Sequence, residues 1–120
     1  MQKLTHEEKL NLMKNLDLED KYLQMTQDIL RKRFIDTNVK AYIFGSRAKG
    51  AAKKTSDIDL ALDNDGKKLD YFKTLGELQN DFEESDIKYS ADIIDLNDIS
   101  ESFKKRIINY LKEINYQSAV

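Results

Sequence analysis

Two aspartates at alternate positions, Asp57 and Asp59, are the first feature of the sequence that could carry chemistry. In a β-strand, residues two apart project from the same face, so both carboxylates would point to one side of a sheet. Two carboxylates about 4 Å apart repel each other by roughly 4 kcal/mol at a typical effective dielectric constant. A fold that holds them together therefore gains from a divalent cation between them. Because the chain contains 22 acidic residues, the pair is a weak signal by itself.

A second pair with the same spacing, Asp63 and Asp65, follows a few residues later. It belongs to the stretch 63–66, Asp-Asn-Asp-Gly, whose residue types favour a turn. A calcium-binding EF-hand loop around it is excluded, because Ala61 and Phe72 would stand where the first and last ligands are required. We therefore assign this second pair to the turn.

Asp92 is a third candidate, because it lies inside the apolar stretch 91–94. An unpaired carboxylate is costly to bury, so its position needs an explanation. It either pairs with a lysine or lies beside Asp57 and Asp59 across the sheet, and its own sequence context does not separate these alternatives. Asp95 points to the opposite face by strand parity and is the weaker candidate.

Gly45 and Ser46 come directly after an apolar stretch that is predicted to be a strand. A glycine at that point lets the backbone approach a ligand closely, and the following N–H groups and hydroxyl can hold phosphate oxygens. An isolated Gly-Ser pair is more often an ordinary turn. A Walker A loop from Gly45 to Gly50 is excluded, because Ala51 and Ala52 replace the required Lys and Ser/Thr.

The elements that must position these residues follow from apolar periodicity and from turn residues. Two N-terminal helices are predicted, one from Thr5, where Glu8 completes a capping box, and one over about 18–35. The predicted strands are 39–44, 57–62 and 89–96, and two further helices are predicted over 67–84 and 100–114. The apolar faces of the last two helices are predicted to be Leu69, Phe72, Leu75, Leu78 and Phe82, and Phe103, Ile107, Ile108 and Leu111. This order predicts an α/β or α+β domain with a small mixed sheet covered by helices on one face.

Composition narrows the class of protein. The chain has 120 residues, 40% apolar and 35% charged, with a net charge of −2, which predicts one globular domain over 1–120. Direct nucleic-acid binding is not expected without an excess of positive charge. The absence of cysteine excludes disulfides and thiolate zinc sites. Neither a signal peptide nor a membrane span is recognised, so a cytoplasmic protein is expected.

In order, Gly45-Ser46, Asp57-x-Asp59 and Asp92 on the next strand resemble the nucleotidyltransferases of the DNA polymerase beta superfamily. The local sequences GSRAKGAAKKTSDIDLAL and ADIIDL resemble those of its minimal nucleotidyltransferase (MNT) branch. The resemblance covers about 39–111, and it implies the DNA polymerase beta-like nucleotidyltransferase fold. The catalytic core would then occupy 38–114 and follow the predicted N-terminal helical segment over 1–36, which is longer than in the most compact members of that branch.

The resemblance implies a role for each candidate residue. Asp57 and Asp59 would hold two Mg²⁺ ions, and Asp92 would complete the site and help to activate the acceptor hydroxyl. Gly45 and Ser46 would hold the NTP phosphates, with Arg47 and Lys49 as electrostatic helpers. Phosphoryl transfer does need charge neutralisation and in-line positioning more than covalent help, and two metal ions can supply both.

Within that branch, small chains such as this one resemble the MNT antitoxins that are encoded beside a HEPN toxin. By that resemblance, this chain would transfer AMP from ATP to a tyrosine of a HEPN-type toxin and form a hetero-oligomer with it. Two alternatives stay open. One is a nucleotidyltransferase for a small-molecule acceptor, although such enzymes resemble longer chains with an added helical domain. The other is an antitoxin that neutralises its partner by binding alone.

Overall fold

The computed structural model of the protein describes residues 16–117. The elements in chain order are α1 (Asp20–Phe34), β1 (Val39–Phe44), the one-turn helix α2 (Ser46–Lys49), β2 (Ile58–Asn64), a π-helical turn (Tyr71–Leu75), α3 (Gly76–Glu83), β3 (Ala91–Asp95), α4 (Glu101–Ile107), a 3-10 turn (Ile108–Tyr110) and β4 (Lys112–Ile114). The helix predicted from Thr5 falls mostly outside the described residues. Between residues 16 and 117, no helix is long and apolar enough to cross a membrane.

The four strands form one mixed sheet in the order β3-β2-β1-β4. Strand β1 pairs antiparallel with β2 and with β4, whereas β2 and β3 are parallel. Parallel neighbours need a crossover connection, and α3 supplies it between β2 and β3. The predicted α+β class and the small mixed sheet are confirmed.

One face of the sheet, which we call the core face, carries the main hydrophobic cluster. The side chains of Ile58, Leu60 and Leu62, at alternate positions of β2, are fully buried there. They pack among residues of α1 and α3, such as Leu30 and Leu78, which are also fully buried. Each such side chain contributes about 1.5–3 kcal/mol through its burial. The core face therefore holds β2 rigidly, and the intervening residues of β2 point to the other side.

The opposite face, which we call the carboxylate face, is also partly covered by a helix. Phe103 of α4 packs edge-on against Phe44, with ring centres 6.4 Å apart, and a second cluster includes Ala61 and Leu96. The prediction that helices cover one face only is therefore wrong. After β3 the chain passes to the side of the sheet opposite α3. There α4 covers an apolar strip formed by Phe44, Ala61 and Leu96, which water would otherwise contact.

The helix predicted over 67–84 is shorter than expected. Asp70 caps the π-helical turn by accepting a 2.8 Å hydrogen bond from the Lys73 N–H. The residues before Asp70 are not helical, and the Leu69 N–H donates instead to the Asp95 carboxylate. The prediction that Phe72 packs in the core is wrong, because its side chain is 87% exposed. The extra residue of the π-helical turn shifts it off the face shared by Leu75 and Leu78.

The final helix predicted over 100–114 is also wrong in its second half. Helix α4 ends at Ile107, Ile108 is exposed, and Lys112–Ile114 forms β4 beside β1. The burial of this segment alternates: Ile114 and Tyr116, two residues apart, are buried, whereas Glu113 is exposed. That alternation has the period of a strand, and the Tyr116 hydroxyl donates a hydrogen bond to the Val39 carbonyl.

Candidate active site

The three predicted catalytic aspartates lie at one edge of the carboxylate face. Asp59 in β2 and Asp92 in β3 are directly paired across the parallel register, so their side chains project to the same face about 5 Å apart. Asp57 precedes the first residue of β2 and is exposed. Within residues 16–117 no ion pair involves Asp92. The structure therefore supports the alternative that Asp92 lies beside the other two carboxylates.

Gly45 brings the backbone of β1 against the Asp59 carboxylate. Phe44 and Asp59 are paired in the antiparallel register, and Gly45 follows with a φ of 72°, in the left-handed region that favours glycine. A Cβ atom at this position would overlap the Asp59 carboxylate, with Cγ only 3.1 Å away. Any other residue at position 45 would displace the Asp59 side chain as well as strain the backbone.

Ser46 and Lys49 are the first and last residues of α2, which begins directly at this glycine. The Ala48 and Lys49 N–H groups donate to the Gly45 carbonyl, whereas the first N–H groups of a helix have no partner inside it. The Lys49 ammonium group lies 4.5 Å from the centre of the Tyr110 ring. The first N–H groups of α2 and the Ser46 hydroxyl therefore follow directly after Gly45, with a lysine at the other end of α2.

Arg47 has a different environment from the other predicted nucleotide-binding residues, because its side chain is buried. Its guanidinium group donates to the carbonyl of Asp17 at 2.7 Å and to the carbonyl of Ser56 at 2.7 and 3.2 Å. It also stacks 3.8 Å from the centre of the Tyr89 ring. Ser56 precedes Asp57, and Tyr89 comes just before β3. Its contacts favour positioning of the two acidic strands, and its predicted contact with the nucleotide stays a prediction.

This network, which we call the Arg47 brace, was not predicted from the sequence. It continues through the Tyr89 hydroxyl, which donates to both carboxylate oxygens of Glu19; this hydrogen bond lowers the pKa of Glu19. The Asp17 carboxylate accepts from the Ala52 N–H at 2.9 Å. The partners are 9 to 70 residues apart in the chain, so no local spacing could have indicated them.

The electrostatics of the carboxylates show that they act on one another. The pKa of Asp59 is raised from 3.8 to about 6, first by burial and then by the neighbouring charges of Asp92 and Asp57. Arg47 opposes this shift. A carboxylate whose ionised form is disfavoured in this way gains from a cation, which would favour the charged form.

The donor set fits magnesium better than other metals, because it consists of carboxylate oxygens without histidine or cysteine. No group of three or more acidic or histidine side chains in the described part of the chain is arranged to hold a metal ion by itself. Magnesium is commonly held by one or two carboxylates together with substrate phosphates. The residues present therefore fit a magnesium ion that arrives with a nucleotide.

The other aspartates of β2 and β3 have structural partners. Buried Asp95 accepts hydrogen bonds from the N–H groups of Leu69 and Asn97. Asp63 accepts from the Gly66 N–H and from the Asn97 side chain. Strand β2 extends to Asn64, so the prediction that Asp63 lies in the turn is wrong, and only Asp65 and Gly66 form the turn. The contacts of Asp95 agree with its lower ranking.

Comparison with known proteins places this chain in a family. The polymerase beta nucleotidyltransferase family model matches residues 24–118. A Haemophilus influenzae protein named "Probable protein adenylyltransferase MntA" is 39% identical over 92 residues, which cover 77% of each chain. A chain of a toxin–antitoxin crystal structure with AMP-PNP has the same fold, with a TM-score of 0.64 and 23% identity over 78% of this chain and 72% of that one.

Proposed function

The chain belongs to the polymerase beta nucleotidyltransferase family, and we propose that it transfers AMP from ATP to a tyrosine of a HEPN-type toxin, as the antitoxin of that toxin. The observation that carries the proposal is the arrangement of Asp57, Asp59 and Asp92 against Gly45, with the raised pKa of Asp59. A protein acceptor is supported by the relative that is named as a protein adenylyltransferase. It agrees with the similarity in fold to a chain of a toxin–antitoxin structure.

Nucleotide binding would start at the junction between β1 and α2. The free N–H groups of Ser46 and Arg47 and the Ser46 hydroxyl would donate to phosphate oxygens. Because Gly45 has no side chain, these oxygens can approach the Asp59 carboxylate without steric conflict. Lys49, exposed at the end of α2, would add positive charge near the phosphates.

Asp57 and Asp59, with Asp92, would hold two Mg²⁺ ions together with the phosphates. The bound metal would neutralise phosphate charge and align the reacting groups. Asp57 and Asp59 are kept in place by different contacts: the Arg47 brace holds the carbonyl next to Asp57, and the buried side chains of Ile58 and Leu60 hold the strand that carries Asp59.

Asp92 would act on the acceptor side. Its carboxylate would accept the proton of the tyrosine hydroxyl as the phenolic oxygen bonds to the α-phosphorus of ATP. The bond between that phosphorus and the bridging oxygen breaks, and pyrophosphate leaves. Asp92 is exposed on an edge strand, so a hydroxyl group on another protein can reach it without rearrangement of the sheet.

The test is incubation of the protein with ATP, Mg²⁺ and the protein encoded beside it, followed by intact-mass measurement of both chains. We expect AMP-sized mass increments on the partner, on a tyrosine located by peptide mass spectrometry, and none without Mg²⁺. If ATP binds but no increment forms, the protein acceptor is wrong and a small-molecule acceptor takes its place. If no nucleotide binds, only neutralisation by binding remains.

A further inference from the structure

Exposed aromatic side chains lie beside the outer edge of the sheet, at the start of α3. Phe72 is 87% exposed and Tyr71 is 66% exposed, and their rings are in edge-to-face contact with centres 5.4 Å apart. With Gln79 and Ile93 they line a shallow cavity of about 190 Å³. Soluble proteins rarely expose adjacent large aromatic side chains unless these bind something.

A second cavity of about 240 Å³ lies nearer to the beginning of β3. Gln79 lines both cavities, with Ile93 of β3 in the first and Ala91 in the second. The two cavities are therefore neighbours along β3, and we call them together the β3 groove. The Gln79 side chain donates to the Ala91 carbonyl at 2.8 Å, so this backbone group at the edge of the sheet already has a partner.

The helix that borders the β3 groove is strongly acidic. No Lys or Arg occurs between Lys73 and Lys88, and five acidic residues do: Glu77, Asp81, Glu83, Glu84 and Asp86. Arg33 forms ion pairs with Glu77 and Asp81. Of the three remaining carboxylates, Glu83 lines the second cavity together with Lys88, and Glu84 and Asp86 are exposed in the segment between them. The groove therefore combines exposed aromatic rings with a rim that carries more negative than positive charge.

The β3 groove lies on the core-face side of the strand that carries Asp92. Within the described residues, β3 pairs only with β2. Ala91 and Ile93 point toward the groove, and Asp92 between them projects to the carboxylate face. An extended chain presents successive side chains to opposite sides. A segment lying along this edge would therefore place some side chains in the groove and an intervening one beside Asp92.

We propose that the β3 groove binds an extended, basic and partly apolar segment of the acceptor protein, and that this segment presents its hydroxyl side chain to Asp92. The inference rests on the proposed function. It adds the docking surface and the chemical character of the acceptor segment: apolar side chains for Tyr71 and Phe72, and lysine or arginine for the acidic rim.

The test compares the double variant Tyr71→Ser/Phe72→Ser with the control Ile35→Ser, an exposed apolar residue outside the groove. Affinity for the co-encoded acceptor protein is measured by calorimetry without ATP, and transfer kinetics are measured with ATP and Mg²⁺. For the groove variant we expect a rise of about tenfold or more in Kd and in KM for the acceptor, with kcat and ATP affinity within about twofold of wild type. The control should match the wild type.

A second pair of variants tests the charge of the rim. Glu83→Lys/Glu84→Lys should weaken acceptor binding and reduce its dependence on salt concentration, whereas Glu113→Lys, on the strand at the opposite edge of the sheet, should change neither. If the groove and rim variants bind the acceptor as the wild type does, the docking inference is overturned even when AMP transfer occurs. If binding depends on the groove but no AMP is transferred, the proposed function fails and the docking surface stands.

Discussion

The two Asp-x-Asp pairs of this chain have the same spacing and lie at opposite ends of the same strand, but their surroundings differ. Asp59, in the pair with Asp57, lies against Gly45 and beside Asp92, and its pKa is raised to about 6. The pKa of Asp63, in the pair with Asp65, is lowered, chiefly by the hydrogen bond from Asn97 and then by the one from the Gly66 N–H.

The difference shows that spacing alone does not make a metal site. Asp63 already has hydrogen-bond donors that stabilise its charge, so a cation would have to replace or share them. Asp59 is half-buried next to like charges, so its ionised form lacks such compensation. The site forms where the fold leaves negative charge uncompensated, and at the other end of β2 the Asn97 side chain and the Gly66 N–H compensate it.

The largest expected effect is on the rate of AMP transfer, which should depend on the first Asp-x-Asp pair and not on the second. Asp57→Asn/Asp59→Asn should lower AMP transfer by about a thousandfold or more, because charge stabilisation by bound metal contributes several kcal/mol to the transition state. The transfer rate of the matched variant Asp63→Asn/Asp65→Asn should stay within a few-fold of the wild-type rate, because both residues lie outside the site. Initial rates of transfer measure both. Equal losses in the two variants would remove the distinction drawn between the pairs.

The second prediction concerns the Arg47 brace, which supports only the Asp57 end of β2. Arg47→Met should lower the free energy of unfolding by about 2–4 kcal/mol, because the partly buried carbonyls of Asp17 and Ser56 lose their donor. Urea unfolding measures this loss. Arg47→Lys keeps the charge but not the forked geometry, and it should recover part of the stability.

A positioning role for the Arg47 brace also predicts weaker Mg²⁺–ATP binding in the Arg47→Lys variant under conditions where it is fully folded. If that variant binds and transfers as the wild type does, Arg47 stabilises the fold without positioning Asp57.

Two glycines with positive φ give the third test. Gly45 and Gly66 have φ values of 72° and 81°, but a Cβ atom at Gly66 would meet nothing within 4 Å. Each change to alanine should cost about 1–2 kcal/mol of stability through backbone strain. Only Gly45→Ala should also lower transfer, by about a hundredfold, because it displaces the Asp59 carboxylate. Calorimetric titration with Mg²⁺–ATP would show the same selectivity; a similar loss of transfer in Gly66→Ala would contradict it.

The smallest expected effect is on the free energy of unfolding, which Asp59→Asn and Asp63→Asn should change in opposite directions. The pKa of Asp59 is raised in the folded protein, so its contribution to stability is fully present below 3.8 and is lost as pH rises through about 6. Asp59→Asn should therefore stabilise the metal-free protein at pH 7, by about 1 kcal/mol after allowance for solvent screening of a half-exposed group. The gain should shrink as pH falls toward 4.

Asp63 should show the reverse. Its lowered pKa means that its contribution is present above the ordinary pKa of 3.8 and is lost as pH falls through the lowered value. Asp63→Asn should destabilise the protein at neutral pH, and the loss should decrease in acid. Urea unfolding of both variants between pH 3 and pH 8, without divalent metal, provides the comparison. Shifts of the same sign in both variants would contradict the electrostatic account.

Much of this arrangement could be predicted from the sequence because it depends on local periodicity. The alternation of Asp57 and Asp59 with Ile58 and Leu60 predicts which side of β2 is charged, and the turn residues predict the end of the strand. The pairing of Asp92 with Asp59 could not be derived from spacing, because it depends on the register between strands that α3 connects.

The missed features have non-local causes. Phe72 fits a helical apolar stripe, but one π-helical turn moves it to the surface. The stretch over β4 continues the apolar period of α4 for a few residues, and only its pairing with β1 makes it a strand. Arg47 lies in a motif that suggests phosphate binding, yet its partners Asp17 and Tyr89 are far away in the chain.

The most direct test of the central claim is an anomalous difference map from crystals grown with Mn²⁺ and a non-hydrolysable ATP analogue. We expect manganese at the carboxylates of Asp57 and Asp59, with the analogue's phosphates at Gly45 and Ser46, and no manganese at Asp63 and Asp65. Manganese at the second pair, or phosphates bound away from Gly45, would contradict the assignment of this edge of the sheet as the catalytic site.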